Sequence, residues 1–417
     1  MTQLINLIQG FNTIFTSFEV LLPLLMGIIV GVILGAIPGL SSTVGIALVI
    51  PFSYYLSPLA AVSMMYAIHK TGTYGGSITA ILLNTPGTPA AACTQLDGYP
   101  LTKMGKAGKA LKVAVISSAI GDFLSDLLLI FASIYVANLV WLVGPVEIVA
   151  ILFFALIIIS GLTGESPMKG LFSACLGLIF SLVGRDPANL SARFTFGYYE
   201  LDSGLSLISV LTGLFILSEV FIQCEIAKKD DFTNQKIDKD ILHHGKKDDD
   251  NLSLSEFKSI IPAISLSTII GTIIGILPGL GAAVAPFVSY GQVKSLSKNP
   301  EKFGKGAIEG IAAAEASNNA VCGANLIPLF TFGIPGSTDA ALMMGVFMIN
   351  GIEFGPRIFI DHTKLVYGIF AAGLIAILGY FIIGMTLSKH IGYYVTKLSP
   401  KILYPIVMII CFIGVYT

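Results

Sequence analysis

Charged residues are scarce in this chain: of its 417 residues only 12% are charged, whereas 54% are hydrophobic. Soluble domains carry about twice that charged fraction, so the composition excludes an ordinary soluble protein and predicts a polytopic membrane protein. The formal net charge of −1 provides no basic field that would favour nucleic acid as a partner. The partner that the composition implies is the lipid bilayer.

Motifs for enzymatic chemistry are also lacking. The five cysteines are scattered without the spacing of metal ligands. The sequence contains no His-x-x-x-His pair, no Gly-x-Ser-x-Gly elbow and no P-loop. We therefore expect neither an enzyme nor an ATP-driven pump, and a transporter is the favoured class. A channel and an intramembrane enzyme remain the alternatives.

Apolar runs long enough to span a bilayer recur along most of the chain. Two other stretches, 58–100 and 306–352, are apolar on average but rich in Gly, Pro, Asn, Ser and Thr, and we expect neither to form a plain helix. Within the first of them, Asp97-Gly98 predicts a turn. The predicted spans are 18–37, 40–56, 110–141, 145–163, 168–184, 204–225, 256–277, 280–294, 365–387 and 402–417.

One clearly solvated segment, residues 226–254, divides the chain. It contains six lysines and is short enough for the positive-inside rule, which places it in the cytoplasm. Residues 1–225 form the first transmembrane half and residues 255–417 the second.

The two halves share three sequence patterns in the same order, which indicates an internal duplication of the kind common in transporters. The pairs are GVILGAIPGL from Gly31 and GTIIGILPGL from Gly271, PFSYY (51–55) and PFVSY (286–290), and NTPGTPAA (84–91) and GIPGSTDAA (333–341).

Four Pro-Gly pairs interrupt apolar segments. Proline removes a backbone donor and glycine permits unusual backbone angles, and irregular backbone at membrane depth is tolerated only inside protein or beside a cavity. The fold class predicted is an all-α polytopic membrane protein with two internal repeats and broken, discontinuous helices. For the first and third pairs a simple turn between spans remains an equal alternative. The pairs are Pro38-Gly39, Pro86-Gly87, Pro278-Gly279 and Pro335-Gly336.

The loop charges predict that the two repeats are inverted. The loop at 56–61 is uncharged, whereas its counterpart carries Lys294, Lys298, Lys302 and Lys305, which the positive-inside rule places in the cytoplasm. The lysines between 103 and 112 are also expected to be cytoplasmic. If 58–100 formed a simple re-entrant hairpin, the repeats would instead be parallel.

Two long blocks, YGGSITAILLNTPGTPAAACTQLDGYPLTKMGKAGKAL (74–111) and the block at 298–356, strongly resemble the large membrane subunit of the tripartite tricarboxylate transporters. The resemblance implies a secondary transporter of the bacterial inner membrane that imports organic di- or tricarboxylates, driven by a Na⁺ or proton gradient. It also implies two partners, a small four-helix membrane subunit and a periplasmic solute-binding protein. Because the family continues beyond the final VMIICFIGVYT, the second half is expected to be incomplete at its C-terminus.

Neutral polar residues around the second and fourth Pro-Gly pairs are the candidate binding site, since hydroxyls, amides and free backbone groups suit both a carboxylate and a dehydrated cation. The candidate Na⁺ ligands are Asn318 and Asn319, because hard cations prefer oxygen. The candidate substrate-binding residues are Gly75, Gly76, Ser77, Asn84, Thr85, Gly87, Thr88, Gly336, Ser337 and Thr338.

Ionisable residues in the apolar segments are candidates for function. Asp122 and Asp126 share one helix face and could hold a cation or proton, or line a wet cavity. Glu309 and Glu315 flank the second broken region and could bind a coupling cation or pair with Lys305. Lys70 could attract a substrate carboxylate, although a lysine that reaches to the membrane surface is the simpler interpretation.

Overall fold

The computed structural model describes residues 2–140, 167–186, 189–206, most of 209–222, 250–277, 281–355 and 357–395, with scattered positions elsewhere. Most of the charged segment 226–254, the Pro278-Gly279 pair and the predicted spans at 145–163 and 402–417 lie outside the described residues.

Fourteen α-helices make up nearly all of the regular structure in the described ranges. A short antiparallel pair, β1 (Gly184–Arg185) and β2 (Ala192–Arg193), lies between α7 and α8. The helices are α1 (Thr2–Thr16), α2 (Phe18–Ala36), α3 (Ser42–Val49), α4 (Pro58–Leu83), α5 (Ala91–Lys103), α6 (Ala107–Val140), α7 (Pro167–Ser181), α8 (Leu254–Ile276), α9 (Gly281–Leu296), α10 (Ile308–Ala324), α11 (Leu326–Phe332), α12 (Thr338–Ile349), α13 (Ile358–Asp361) and α14 (Thr363–Val395).

Four of these helices are long and apolar enough to cross a membrane, and each coincides with a predicted span. They are Phe18–Ala36, Ala107–Ala132, Leu254–Ile276 and Thr363–Val395. The chain is therefore a mostly helical membrane protein. The prediction of a continuous span at 40–56 is wrong, because α3 ends at Val49 and a 3₁₀-helix, Pro51–Tyr55, follows. Pro51 has no N–H with which to continue the α-helix.

Helix α4 corrects a second expectation. Residues 58–83 form one regular helix through Gly75 and Gly76, and every residue from Met65 to Leu82 is buried. Glycine, serine and threonine are weak helix formers in isolation but let neighbouring helices approach closely, so packing overrides propensity. The second polar stretch does break, at Asn325 and again after Phe332.

Close glycine contacts show that the first two long helices of each half run parallel. Along α2, Gly27 lies against Met64 of α4, and Gly35 lies against Gly72. Along α8, Gly271 lies against Ser317 of α10, and Gly275 follows against the next turn of α10. In each half one further α-helix, α3 or α9, lies in the chain between these two parallel helices.

Helices α4 and α10 run in opposite directions. Helix α6 is antiparallel to α4, since Lys70 bonds Asp122 whereas the earlier Tyr66 bonds the later Asp126. Helix α6 is parallel to α10, since Gly121 lies against Ala316 and Asp126 lies near Gly323. Because α14 follows the direction of α4, helices α2, α4 and α14 point one way and α6, α8 and α10 the other.

We expect Gly271→Ala to lower thermal stability, because the added Cβ would collide with the backbone of Ser317. Overpacking of this kind costs about 1–3 kcal/mol, which a lower midpoint of thermal unfolding in detergent would report. Gly291→Ala in α9 is the control, since nothing lies within 4 Å of the added atom. Equal midpoints for the two variants would contradict the close packing of α8 on α10.

Candidate functional site

A cavity of about 240 Å³ lies among the short helices. Eight of its thirteen lining residues carry a hydroxyl or amide side chain, and one carboxylate and one imidazole accompany them. The lining residues are Ser41, Ser42, Thr43, His69, Thr73, Thr88, Pro89, Ala90, Ala283, Asn318, Ser337, Thr338 and Asp339.

The cavity is the place where the segments that follow all four Pro-Gly pairs meet. The first pair leads into Ser41–Thr43 at the start of α3, and the second leads into Thr88–Ala90 before α5. The third precedes Ala283 in the first turn of α9, and the fourth leads into Ser337–Asp339 at the start of α12. Helix N-termini carry free N–H groups and partial positive charge, so this arrangement favours an anionic ligand.

The helix breaks before the second and fourth Pro-Gly pairs are built alike. Asn84 caps the C-terminus of α4 and Gly333 that of α11, and both residues adopt the left-handed conformation, with φ of 58° and 69°. In each case one further residue precedes a Pro-Gly pair. A left-handed cap followed by proline ends a helix sharply, so the local sequence determines where each helix stops.

Asp339 is the carboxylate at the cavity, and its charge is well compensated. It accepts hydrogen bonds from Ser42 at 2.7 Å and Thr43 at 2.5 Å, and its Oδ2 lies 2.5 Å from His69 Nδ1. Asn325 Nδ2 lies 3.5 Å from His69 Nε2, which suits an imidazole that donates from Nδ1 and accepts at Nε2. These bonds connect α3, α4 and α12 around the cavity.

No lysine or arginine lines the cavity among the described residues. Asn318 is fully buried there, and neither its side-chain oxygen nor its nitrogen has a hydrogen-bond partner in the described structure. A buried amide without partners costs about 1–3 kcal/mol, so a ligand that bonds Asn318 would recover that free energy. An anion in this cavity would be held by neutral donors.

Four of the residues predicted from the sequence line the cavity: Thr88, Ser337, Thr338 and Asn318. The four predicted glycines pack against backbone or side chains instead. Gly75 lies against Val32, Gly76 against Thr88, Gly87 against Gly35, and Gly336 against Asn325. They permit the close approach of the segments that surround the cavity.

The remaining predicted residues also do not line it. Ser77 donates to Glu315 at 2.5 Å, and the Thr85 hydroxyl lies 3.3 Å from the Leu83 carbonyl. Asn84 is the left-handed cap of α4, and its backbone N–H bonds the Thr79 carbonyl. Asn319 Nδ2 lies 3.5 Å from the Lys70 carbonyl and 3.4 Å from the Tyr380 hydroxyl.

Sequence reasoning did not place Ser42, Thr43, His69 and Asp339 in the site. For Ser42, Thr43 and Asp339, the sequence does contain a pattern that could have indicated the site. Hydroxyl residues follow the first Pro-Gly pair as Ser41-Ser42-Thr43 and the fourth as Ser337-Thr338, and Asp339 comes next. His69 carries no such signal, because only the packing of α4 brings it to the cavity.

Lys70 corrects the interpretation that it reaches to the membrane surface. It is fully buried, and its ammonium donates to Asp122 and, at 2.9 Å, to Asp126. Tyr66 donates to Asp126 at 3.0 Å and Tyr380 to Asp122 at 3.3 Å. This cluster joins α4, α6 and α14, and Lys70 follows directly in the sequence after the cavity residue His69.

Asp97 corrects the predicted turn, because it lies inside α5. Its Oδ1 accepts N–H bonds from Gly304 and Gly306 at 2.8 Å and from Ala307 at 2.9 Å, and Tyr290 donates to Oδ2 at 2.8 Å. The side chain thereby anchors α5 to the loop that precedes α10.

Comparison with known proteins gives a family and two relatives. The family described as "Tripartite tricarboxylate transporter TctA family" matches residues 21–417. An Agrobacterium vitis protein named "Uncharacterized 52.8 kDa protein in TAR-I ttuC' 3'region" is 35% identical over 416 residues, which cover 99% of this chain and 80% of the relative. A second, "Uncharacterized protein in TAR-II ttuC' 3'region" of the same organism, is 41% identical over 149 residues, 35% of this chain and 60% of the relative. No solved structure matches the chain.

The left-handed cap at Asn84 generates a prediction. Asn84→Ala should lower stability by about 1 kcal/mol, because alanine resists this conformation, whereas Asn84→Gly should retain stability because glycine adopts it freely. Midpoints of thermal unfolding in detergent would measure both. If glycine proved as destabilising as alanine, the amide side chain and not the backbone conformation would be what the site requires.

Proposed function

The chain belongs to the tripartite tricarboxylate transporter TctA family, whose members are the large subunits of these transporters, and from this premise we propose that it imports organic di- or tricarboxylates by cation-coupled secondary transport. We place it in the bacterial inner membrane, with Na⁺ or a proton as the coupling ion. A small four-helix membrane subunit completes the membrane part, and a periplasmic solute-binding protein delivers the substrate.

One observation carries the assignment of the substrate site: the segments after all four Pro-Gly pairs converge on one cavity. Drug-sized ligands occupy pockets of about 300–1,000 Å³, so a cavity of about 240 Å³ suits a small organic acid. The hydroxyls of Thr88, Ser337 and Thr338 and the free N–H groups of α3 and α12 would donate to its carboxylates. These donors need no buried lysine or arginine.

A co-bound cation would neutralise part of the substrate charge. Asn318 and Asn319 remain the candidate Na⁺ ligands, and the geometry favours the first. The side-chain oxygens of both residues lack a hydrogen-bond partner in the described structure, but only Asn318 lines the cavity.

Two features support an inverted duplication. Helices α2 and α8, which end in equivalent sequence patterns, run in opposite directions. The second and fourth Pro-Gly pairs are 249 residues apart, and Lys70 contacts Asn319 and Thr73 contacts Cys322 at this same separation. Equivalent residues meet each other only near a two-fold axis, so the crossing of α4 and α10 would lie on the axis that relates the repeats.

Removing one hydroxyl from the cavity tests the substrate site. Thr88→Val should raise the half-saturating substrate concentration about ten- to a hundredfold, since a hydrogen bond to a charged group is worth about 1.5–3 kcal/mol. Thr102→Val is the matched control, because its buried hydroxyl bonds only the Gly98 carbonyl of its own helix. Uptake and counterflow of labelled carboxylates would be measured in proteoliposomes with all three components.

Two outcomes separate the site from the function. Counterflow with wild-type kinetics in Thr88→Val would show carboxylate transport through a site that lies elsewhere. A wild-type complex that inserts normally and passes substrate without counterflow would contradict a carrier and indicate a channel.

The inverted duplication predicts that Ser57 and Ser297 face opposite sides of the membrane. Single cysteines at the two positions, in a chain without its native cysteines, should react with an impermeant reagent from opposite sides. Labelling of both from the same side would contradict the inversion.

A further inference from the structure

Glu315 is a second buried carboxylate group, separate from the cavity. It is fully buried on α10, and three hydroxyls from three other helices donate to it. Ser77 of α4 donates to Oε1 at 2.5 Å, Ser118 of α6 donates to Oε2 at 2.7 Å, and Thr94 of α5 also donates to Oε1. Lys305, the partner that the sequence suggested, is exposed and forms no ion pair with it.

The charge of Glu315 is solvated by these hydroxyls but is not neutralised. Asp339 has the His69 imidazole beside it, and Asp122 and Asp126 share the ammonium of Lys70. Among the described residues no cationic side chain forms a salt bridge to Glu315. An uncompensated carboxylate is expensive at membrane depth, so this arrangement requires either a bound cation or a proton.

We propose that Glu315, Ser77, Thr94 and Ser118 form a Na⁺ site. Hard cations prefer oxygen ligands. Each hydroxyl oxygen here has two lone pairs, so it can bind a cation when its O–H bond rotates away from that cation. A protonated carboxyl group would need only one acceptor, whereas three hydroxyls converge on this one. The carboxylate supplies the charge and four helices supply the oxygens.

The site is connected to the cavity through α5. Thr88, Pro89 and Ala90 line the cavity directly before α5, and Thr94 lies in its first turns. Gly76, the neighbour of Ser77, packs against Thr88. A cation between Glu315 and Thr94 would hold α5 against α4, α6 and α10 and thereby position Thr88. Because such coupling is reciprocal, Na⁺ would tighten substrate binding and substrate would tighten Na⁺ binding.

This role in coupling rests on the proposed transport function, but Na⁺ binding itself can be measured without it. The full chain in detergent, without substrate or receptor, would be titrated with NaCl against choline chloride at constant ionic strength. The readouts are the midpoint of thermal unfolding and the binding of radioactive Na⁺. The wild type should show a saturable rise in the midpoint and saturable binding, and Glu315→Gln should lose both.

Two adjacent serines provide the matched comparison. Ser118→Ala should weaken Na⁺ binding about tenfold through the loss of one ligand, whereas Ser117→Ala should leave it unchanged. Ser117 is equally buried on the same helix and does not bond Glu315.

Three results would overturn the proposal. The first is equal Na⁺ affinity in the two serine variants, and the second is an intact Na⁺ response of the unfolding midpoint in folded Glu315→Gln. The third is a wild-type midpoint that responds to pH but not to Na⁺, which would assign a proton to Glu315. Saturable Na⁺ binding that Glu315→Gln abolishes, in a complex that transports no carboxylate, would support the site and contradict the transport function.

Discussion

A helix that stops inside a membrane must have its free backbone groups satisfied by protein, because lipid offers no hydrogen bonds. The rest of this structure depends on that constraint. At the second Pro-Gly pair, the Gly87 N–H bonds the Gly76 carbonyl of α4, and before the fourth, the Gly355 N–H bonds the Phe330 carbonyl in the last turn of α11. The long helices α2, α6, α8 and α14 pack around these interrupted segments, so the irregular backbone lies within protein.

Glycine makes this enclosure possible. Gly31 and Gly35 bring α2 onto α4, and Gly271 and Gly275 bring α8 onto α10, with backbones in direct contact. The same closeness excludes large side chains from the centre, and small hydroxyl and amide residues occupy it. A polar interior therefore follows from tight packing, and the ligand sites lie in that interior.

Buried charges join the two halves of the chain. Asp339 of the second half bonds His69, Ser42 and Thr43 of the first, and Glu315 of the second half bonds hydroxyls from three helices of the first. Such contacts hold only when the halves keep one relative position. The cavity lies between α3 and α12, one from each half, so any movement of one half against the other would change its shape. This is the property that a carrier with alternating access requires.

The sequence by itself determined the class of protein, four of the spans and the helix ends before the second and fourth Pro-Gly pairs, because hydropathy, proline and left-handed caps act over a few residues. It also placed Thr88, Asn318, Ser337 and Thr338 in the candidate site, since polar residues beside a break have few other reasons to be there. The regularity of α4, the ion pairs of Lys70, the anchoring by Asp97 and the meeting of His69 with Asp339 were decided by the tertiary structure alone. Each depends on a partner more than 50 residues away or on burial against another helix, and a local pattern carries no information about which distant groups will share a low-dielectric interior.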